Sequence, residues 1–152
     1  MLFCSVHCHA CVSLFKIIMS LLRGLRILII SDDNAVAKAL VQFVFEGLGV
    51  EIIGMPHFSD NLYDWLTRFT PDIALMYVQT LTLEKVEYIE QLLLKLRADH
   101  FENPILVLTQ TQTPILHTSL LRAGCHTVLA PIPSREELLS VIYSSRSSVQ
   151  IR

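Results

Sequence analysis

From Arg26 onward the chain alternates short apolar runs with longer stretches whose apolar residues recur at helical spacing, the mark of β-α-β units around a parallel sheet. The runs at 27–30, 73–76 and 105–108 are continuously apolar, as strands covered on both faces must be, and are expected at the sheet centre. The run at 50–53, interrupted by Glu51, and the short run at 128–129 suit positions nearer the edges. Between them, five stripes read as core-facing helices: Val36, Leu40, Phe43 and Val44; Leu62, Trp65, Leu66 and Phe69; Val86, Ile89, Leu93 and Leu96; Leu116, Leu120 and Ala123; Leu138, Val141 and Ile142. Local boundary signals agree. Thr113 precedes Pro114 at a first-turn position, Gly124 closes the fourth helix, and Ser134 with Glu137 makes a capping box for the fifth.

This pattern predicts an α/β domain of three layers, doubly wound, with a parallel five-stranded sheet in the order 2-1-3-4-5, the flavodoxin-like arrangement. A chain of 152 residues suits one such domain. Over half of its residues are hydrophobic and 17% are charged, which excludes disorder, and no apolar run approaches the roughly 18 residues of a membrane span. With a net charge of -2 and no basic stripe, neither nucleic acid nor an anionic membrane is expected as a partner; another protein is.

The amino-terminal residues change this picture little. Cys4, Cys8 and Cys11 crowd the start while Cys125 stands alone, which is no disulfide framework; a reducing, cytoplasmic compartment is expected. Their C-x3-C-x2-C spacing resembles the cluster-binding signature of radical S-adenosylmethionine enzymes, with His7 and His9 as further ligand types. That family needs a far larger barrel, and Ala10 replaces its aromatic residue, so no cofactor is assigned there. The stretch lacks a basic start and a cleavage site, and Met19 lies just ahead of the first strand as an alternative start. The expected organisation is an extension at 1–24, a domain at 25–145 and a tail at 146–152.

A doubly wound sheet works outside the carboxyl ends of its strands, at the switch point between strands 1 and 3. There the chain places Ser31-Asp32-Asp33-Asn34, Tyr77-Val78-Gln79, Thr109-Gln110 and Ala130-Pro131. With Arg26-Ile-Leu-Ile-Ile-Ser-Asp-Asp33, Pro71-Asp-Ile-Ala-Leu-Met-Tyr77, Pro104-Ile-Leu-Val-Leu-Thr109, Leu121-Arg-Ala-Gly124 and Glu136-Glu-Leu138 in this order, residues 25 to 145 resemble the response regulator receiver domain, CheY-like. The resemblance implies a pocket in which an acidic pair holds a divalent metal and an aspartate ending strand 3 takes a phosphoryl group. A Ser or Thr ending strand 4 and a lysine before proline would bind that group.

Against that pattern the chain is degenerate. Ser31 takes the first acidic position and Asp32 the second, with Asp33 one residue further on, so Asp32 and Asp33 are expected to bind magnesium weakly at most, and helix capping is the competing role for both. Tyr77 stands at the phosphoacceptor position, and a phenol neither forms an acyl phosphate nor offers magnesium a hard carboxylate oxygen. Its hydroxyl is expected to bond Asp32 or Thr109. Asp72 cannot substitute, lying about 16 Å away at the other end of the strand. Thr109 matches the hydroxyl position; Ala130 takes the lysine position, with no lysine near it in the sequence. Loss of the lysine together with its acidic partner is coherent, since a buried lone ammonium is costly.

The resulting expectation is a pseudo-receiver in two-component phosphorelay signal transduction, not an enzyme, acting by phosphorylation-independent protein–protein interaction. The resemblance implies a partner surface on the fourth helix, fifth strand and fifth helix, with Leu116, Leu120, Arg122, His126 and Arg135, and a homodimer through the same face as a further option. Two alternatives stay open: a small flavodoxin-like enzyme or nucleotide binder, which lacks a Gly-rich loop after strand 1, and a truncated response-regulator transcription factor without its DNA-binding half. His57, His100, His117 and His126 are scattered, and solvated or capping roles are expected for them.

Overall fold

The computed structural model describes residues 16–18 and 20–151, with side chains to residue 146. Cys4, Cys8, Cys11, His7, His9 and Met19 lie outside the described residues. The elements run β1 (Arg26–Ser31), α1 (Asn34–Leu40, prolonged by a π-helical turn, Val41–Phe45), β2 (Glu51–Gly54), α2 (Leu62–Phe69), β3 (Ile73–Val78), α3 (Leu83–Ala98), β4 (Ile105–Thr109), α4 (Pro114–Ala123), β5 (Thr127–Leu129) and α5 (Arg135–Ile151). All strand pairs are parallel and the order is β2-β1-β3-β4-β5, as the alternation predicts.

Successive strand residues face opposite sides of the sheet, so each central strand feeds two cores. Ile27, Ile29, Ile73, Leu75, Tyr77, Leu106 and Leu108 pack with Ala37 and Leu40 of α1 and with Leu138, Leu139 and Ile142 of α5. Leu28, Ile30, Ala74, Met76, Val78, Ile105 and Val107 pack with Leu62 and Leu66 of α2, Val86 and Ile89 of α3, and Leu120 of α4. β1, β3 and β4 are therefore buried on both faces, which is why their sequences carry no polar alternation. Leu22 and Leu25, ahead of β1, are also buried in the α1/α5 core.

One stripe residue is misplaced by periodicity. Phe43 is 69% exposed, while Phe45 is buried at 3%. The π-helical turn at Val41–Phe45 holds more residues than an α turn, which rotates the residues after Leu40 and exchanges one phenylalanine for the other. The boundary signals hold: Ser134 Oγ accepts from Glu137 N at 3.2 Å, Pro114 opens α4, and Gly124 ends it at φ 120°, a left-handed conformation that glycine adopts without strain.

Cys125, the residue after Gly124, is buried, and burial pushes its thiol from 9.0 up to about 12. At pH 8 its reaction with a thiol reagent, followed on its own peptide by mass spectrometry, is expected to be slower than that of a free cysteine by a factor on the order of 10^3, with full reactivity returning in denaturant.

Candidate functional site

Register brings the predicted strand ends together. Ser31 pairs with Tyr77, Tyr77 with Leu108, and Val78 with Thr109, so the carboxyl ends of β1, β3 and β4 lie side by side. Asp32 N donates to Tyr77 O at 3.4 Å, and on the other flank Phe58 N donates to Ser31 O at 2.8 Å. Ala130 is partly buried one residue beyond Leu129, which pairs with Leu108. Asp72 lies at the opposite end of β3, where it accepts from Arg26 N at 2.9 Å.

The polar residues divide the work. Ser31 is 1% exposed and turned onto its own loop, its Oγ donating to Asp33 O at 2.6 Å and accepting from Asp33 N at 2.8 Å. Asp33 caps α1, with Oδ1 accepting from Ala35 N at 2.9 Å. Thr109 is fully buried; its Oγ1 donates to Gln79 O at 3.3 Å and accepts from Thr111 N at 3.1 Å, while Thr111 Oγ1 accepts from Leu81 N at 2.9 Å. These bonds tie the loop after β3 to the loop after β4. Asp32 takes part in none of these loop bonds through its side chain.

Asp32 meets a cation that its sequence neighbourhood does not contain. Lys85 Nζ lies 3.4 Å from Asp32 Oδ2 and donates to Thr80 O at 3.3 Å. Asp32 Oδ1 is buried and meets no donor among the described residues. Lys85 is the residue at this site that sequence reasoning missed, because it comes from the first turn of α3 rather than from the end of β5. Its backbone N–H is capped by Thr82 Oγ1 at 3.2 Å. The available signal was its position: a cation in the first turn opposes the helix dipole, which a nearby carboxylate offsets.

Tyr77 is 4% exposed and packs in the α1/α5 core. The expected bond from its hydroxyl to Asp32 or Thr109 is not made. The pleat explains this for Thr109, which pairs with Val78 and so projects to the opposite face from Tyr77. Asp32 turns to Lys85 instead. Burial first, then the Asp32 and Asp33 carboxylates, push the Tyr77 phenol above its ordinary 10.0, so it is neutral at physiological pH.

The expected partner surface needs two corrections. Leu120 is fully buried, since the stripe that packs α4 on the sheet cannot also face outward, and Arg135 is tied inward by its Nε donating to Val44 O at 3.2 Å. Leu116 is half-buried against the same core, while Arg122 and His126 are exposed. The large apolar side chains that α4 does expose are Ile115, at 73%, and Leu121, at 46%.

A magnesium ion needs near-octahedral oxygen ligands at short range. Here it would find a buried Asp32 oxygen, a Ser31 hydroxyl bonded to the Asp33 backbone, an Asp33 carboxylate whose Oδ1 caps α1, a neutral phenol and an ammonium 3.4 Å from Asp32. These donors do not fit it. No group of three or more His, Cys, Asp or Glu side chains placed to hold a metal occurs among the described residues.

No family model matches the chain, and no curated sequence is significantly similar to it. Solved structures are similar. The signal receiver domain of the response regulator NarL from Mycobacterium tuberculosis superposes with a TM-score of 0.69 at 14% identity, over 82% of this chain and 98% of that one. The chain has the receiver fold. A CheY-like receiver domain protein from Methanospirillum hungatei matches at 0.65 and 23% identity, over 84% and 97% of the two chains. The receiver domain of a diguanylate cyclase from Desulfovibrio desulfuricans matches at 0.65 and 22%, over 84% and 98%. The receiver fold spans 82–84% of the chain in these superpositions. Among the described residues no helix is long and apolar enough to cross a membrane.

Proposed function

We propose that the chain is a pseudo-receiver, a signalling module of two-component type that works by binding a partner protein without phosphoryl transfer. The carrying observation is the pair Tyr77 and Lys85. A buried, neutral phenol ends β3 where the receiver pattern calls for the phosphoacceptor, and the Lys85 ammonium sits on Asp32 where that pattern calls for a divalent cation. An internal, permanently attached cation replaces an exchangeable one. Residues 25–145 form the receiver-like body in this reading, residues 1–24 an extension whose Leu22 packs into that body's core and 146–152 a tail, and the compartment is the reducing cytoplasm.

Without phosphate, the module's response depends on whatever binds one of its conformations better than another. A partner protein is the candidate for that role, docked on the exposed side of α4 and β5 with Ile115, Arg122 and His126. The buried Leu120 and the tethered Arg135 lend no support to a homodimer through the α4 to α5 face.

Intact-mass analysis after incubation with acetyl phosphate and magnesium tests the proposal. An unchanged mass is expected. A hydroxylamine-labile gain of one phosphoryl group would show an acyl phosphate and remove the proposal.

A further inference from the structure

The pocket and the α4 surface leave α3 unexplained. It is the middle helix of the α2, α3, α4 layer, its inner face is fully used by Val86, Ile89, Leu92, Leu93 and Leu96, and its outer face carries three large exposed side chains, Leu83 at 65%, Tyr88 at 41% and Leu94 at 51%. The outer face also divides by charge. Glu84 and Glu87 lie in its first half and Lys95 in its second, all exposed.

We infer that this face of α3 is an isologous dimer interface that takes a second copy of the same chain in antiparallel orientation. The spacing carries the inference. Leu83 to Leu94 and Glu84 to Lys95 have the same separation, about three helical turns or roughly 16 Å, so each pair lines up along the helix, the leucines on one flank of the outer face and the charges on the other, about 100° away. When two copies of α3 run antiparallel about a twofold axis near Ile89, Leu83 of each meets Leu94 of the other, and Glu84 of each meets Lys95 of the other. Both contacts occur twice, as isologous symmetry requires.

The helix dipole alone would account for acids near the start of α3 and a base near its end. It does not account for two leucines exposed at the matching separation. Lys95 Nζ rests 4.6 Å from the centre of the Tyr63 ring, a contact that holds the ammonium at the surface on the α2 side, where a carboxylate of the second copy can reach it. One helix face of about 24 Å falls at the small end of specific interfaces, so the dimer is expected to be weak, with Kd on the order of 10–100 µM.

Sedimentation of the full chain across this concentration range, in reducing buffer so that Cys4, Cys8 and Cys11 form no bridges between chains, reads the equilibrium. A reversible dimer weakened by added salt is expected. Glu84→Lys and Lys95→Glu each place like charges at both ends of the interface and are expected to weaken it at least about tenfold. Both positions are exposed, so the fold is expected to survive, which circular dichroism checks. Mixing the two variants in equal amounts re-pairs opposite charges at both ends, and the heterodimer is expected to regain the original affinity. A chain that stays monomeric to several hundred micromolar, or a dimer indifferent to either reversal, overturns the inference, as does a mixture no tighter than its components.

Discussion

Tyr77→Ala is expected to destabilise the domain by about 3–5 kcal/mol, the range for deleting a buried aromatic side chain and leaving a cavity. The loss is large against the roughly 5–15 kcal/mol that holds a domain of this size together. Tyr77 closes the α1/α5 core at the carboxyl end of β3, between Ser31 of β1 and Leu108 of β4. Tyr77→Phe, in contrast, keeps the ring and removes a hydroxyl that bonds neither Asp32 nor Thr109, so its cost is expected to stay below about 1 kcal/mol. Urea unfolding followed by circular dichroism compares the two. A Phe variant as damaged as the Ala variant would mean that the hydroxyl, not the ring, holds the pocket. The pH dependence follows from the same burial. The folded chain keeps the phenolic proton more tightly than the unfolded chain, so this contribution is complete below pH 10 and fades as pH rises through the raised folded-state pKa. Tyr77→Phe is expected to lack that part of the alkaline fall.

Lys85→Met is the second large effect, and it is expected to appear in ion binding more than in stability. With the ammonium gone, Asp32 Oδ2 is left without a competing charge, and magnesium affinity is expected to rise about tenfold. The pair lies at 3.4 Å with side-chain exposures of 34% and 20%. After discounting for solvent screening, the loss of stability should be about 1–2 kcal/mol. Isothermal titration with magnesium and a thermal melt with and without the ion read both. A variant that binds magnesium no better than the parent would reduce Lys85 to an ordinary surface pair and withdraw its role as the built-in cation.

Much of this was written in the local sequence. Uninterrupted apolar runs on strands 1, 3 and 4 can only be strands covered from both sides, and the helical stripes between them supply the covers; that combination leaves a parallel, doubly wound sheet as the arrangement that buries everything. The placement of the strand ends was legible to the same degree, because a strand's carboxyl end is fixed once its apolar run is fixed, so the ends of β1, β3 and β4 that carry Ser31, Tyr77 and Thr109 had to lie side by side. Capping by Asp33 and Ser134 is local as well, each bond spanning two or three residues.

Tertiary structure decided what depends on side-chain direction and on partners distant in the chain. Periodicity drawn from ideal α geometry could not foresee the wider turn that exposes Phe43 and buries Phe45. The Tyr77 hydroxyl makes no bond to Thr109 because pleating sends Thr109 to the other face, and the expected outward role of Leu120 failed because its stripe belongs to the core. Above all, the cation beside Asp32 is Lys85, 53 residues along the chain, brought there by the first turn of α3. A sequence fixes which residues end a strand through local burial, but which charge crosses the pocket to meet them is set by the packing of a whole helix against the sheet.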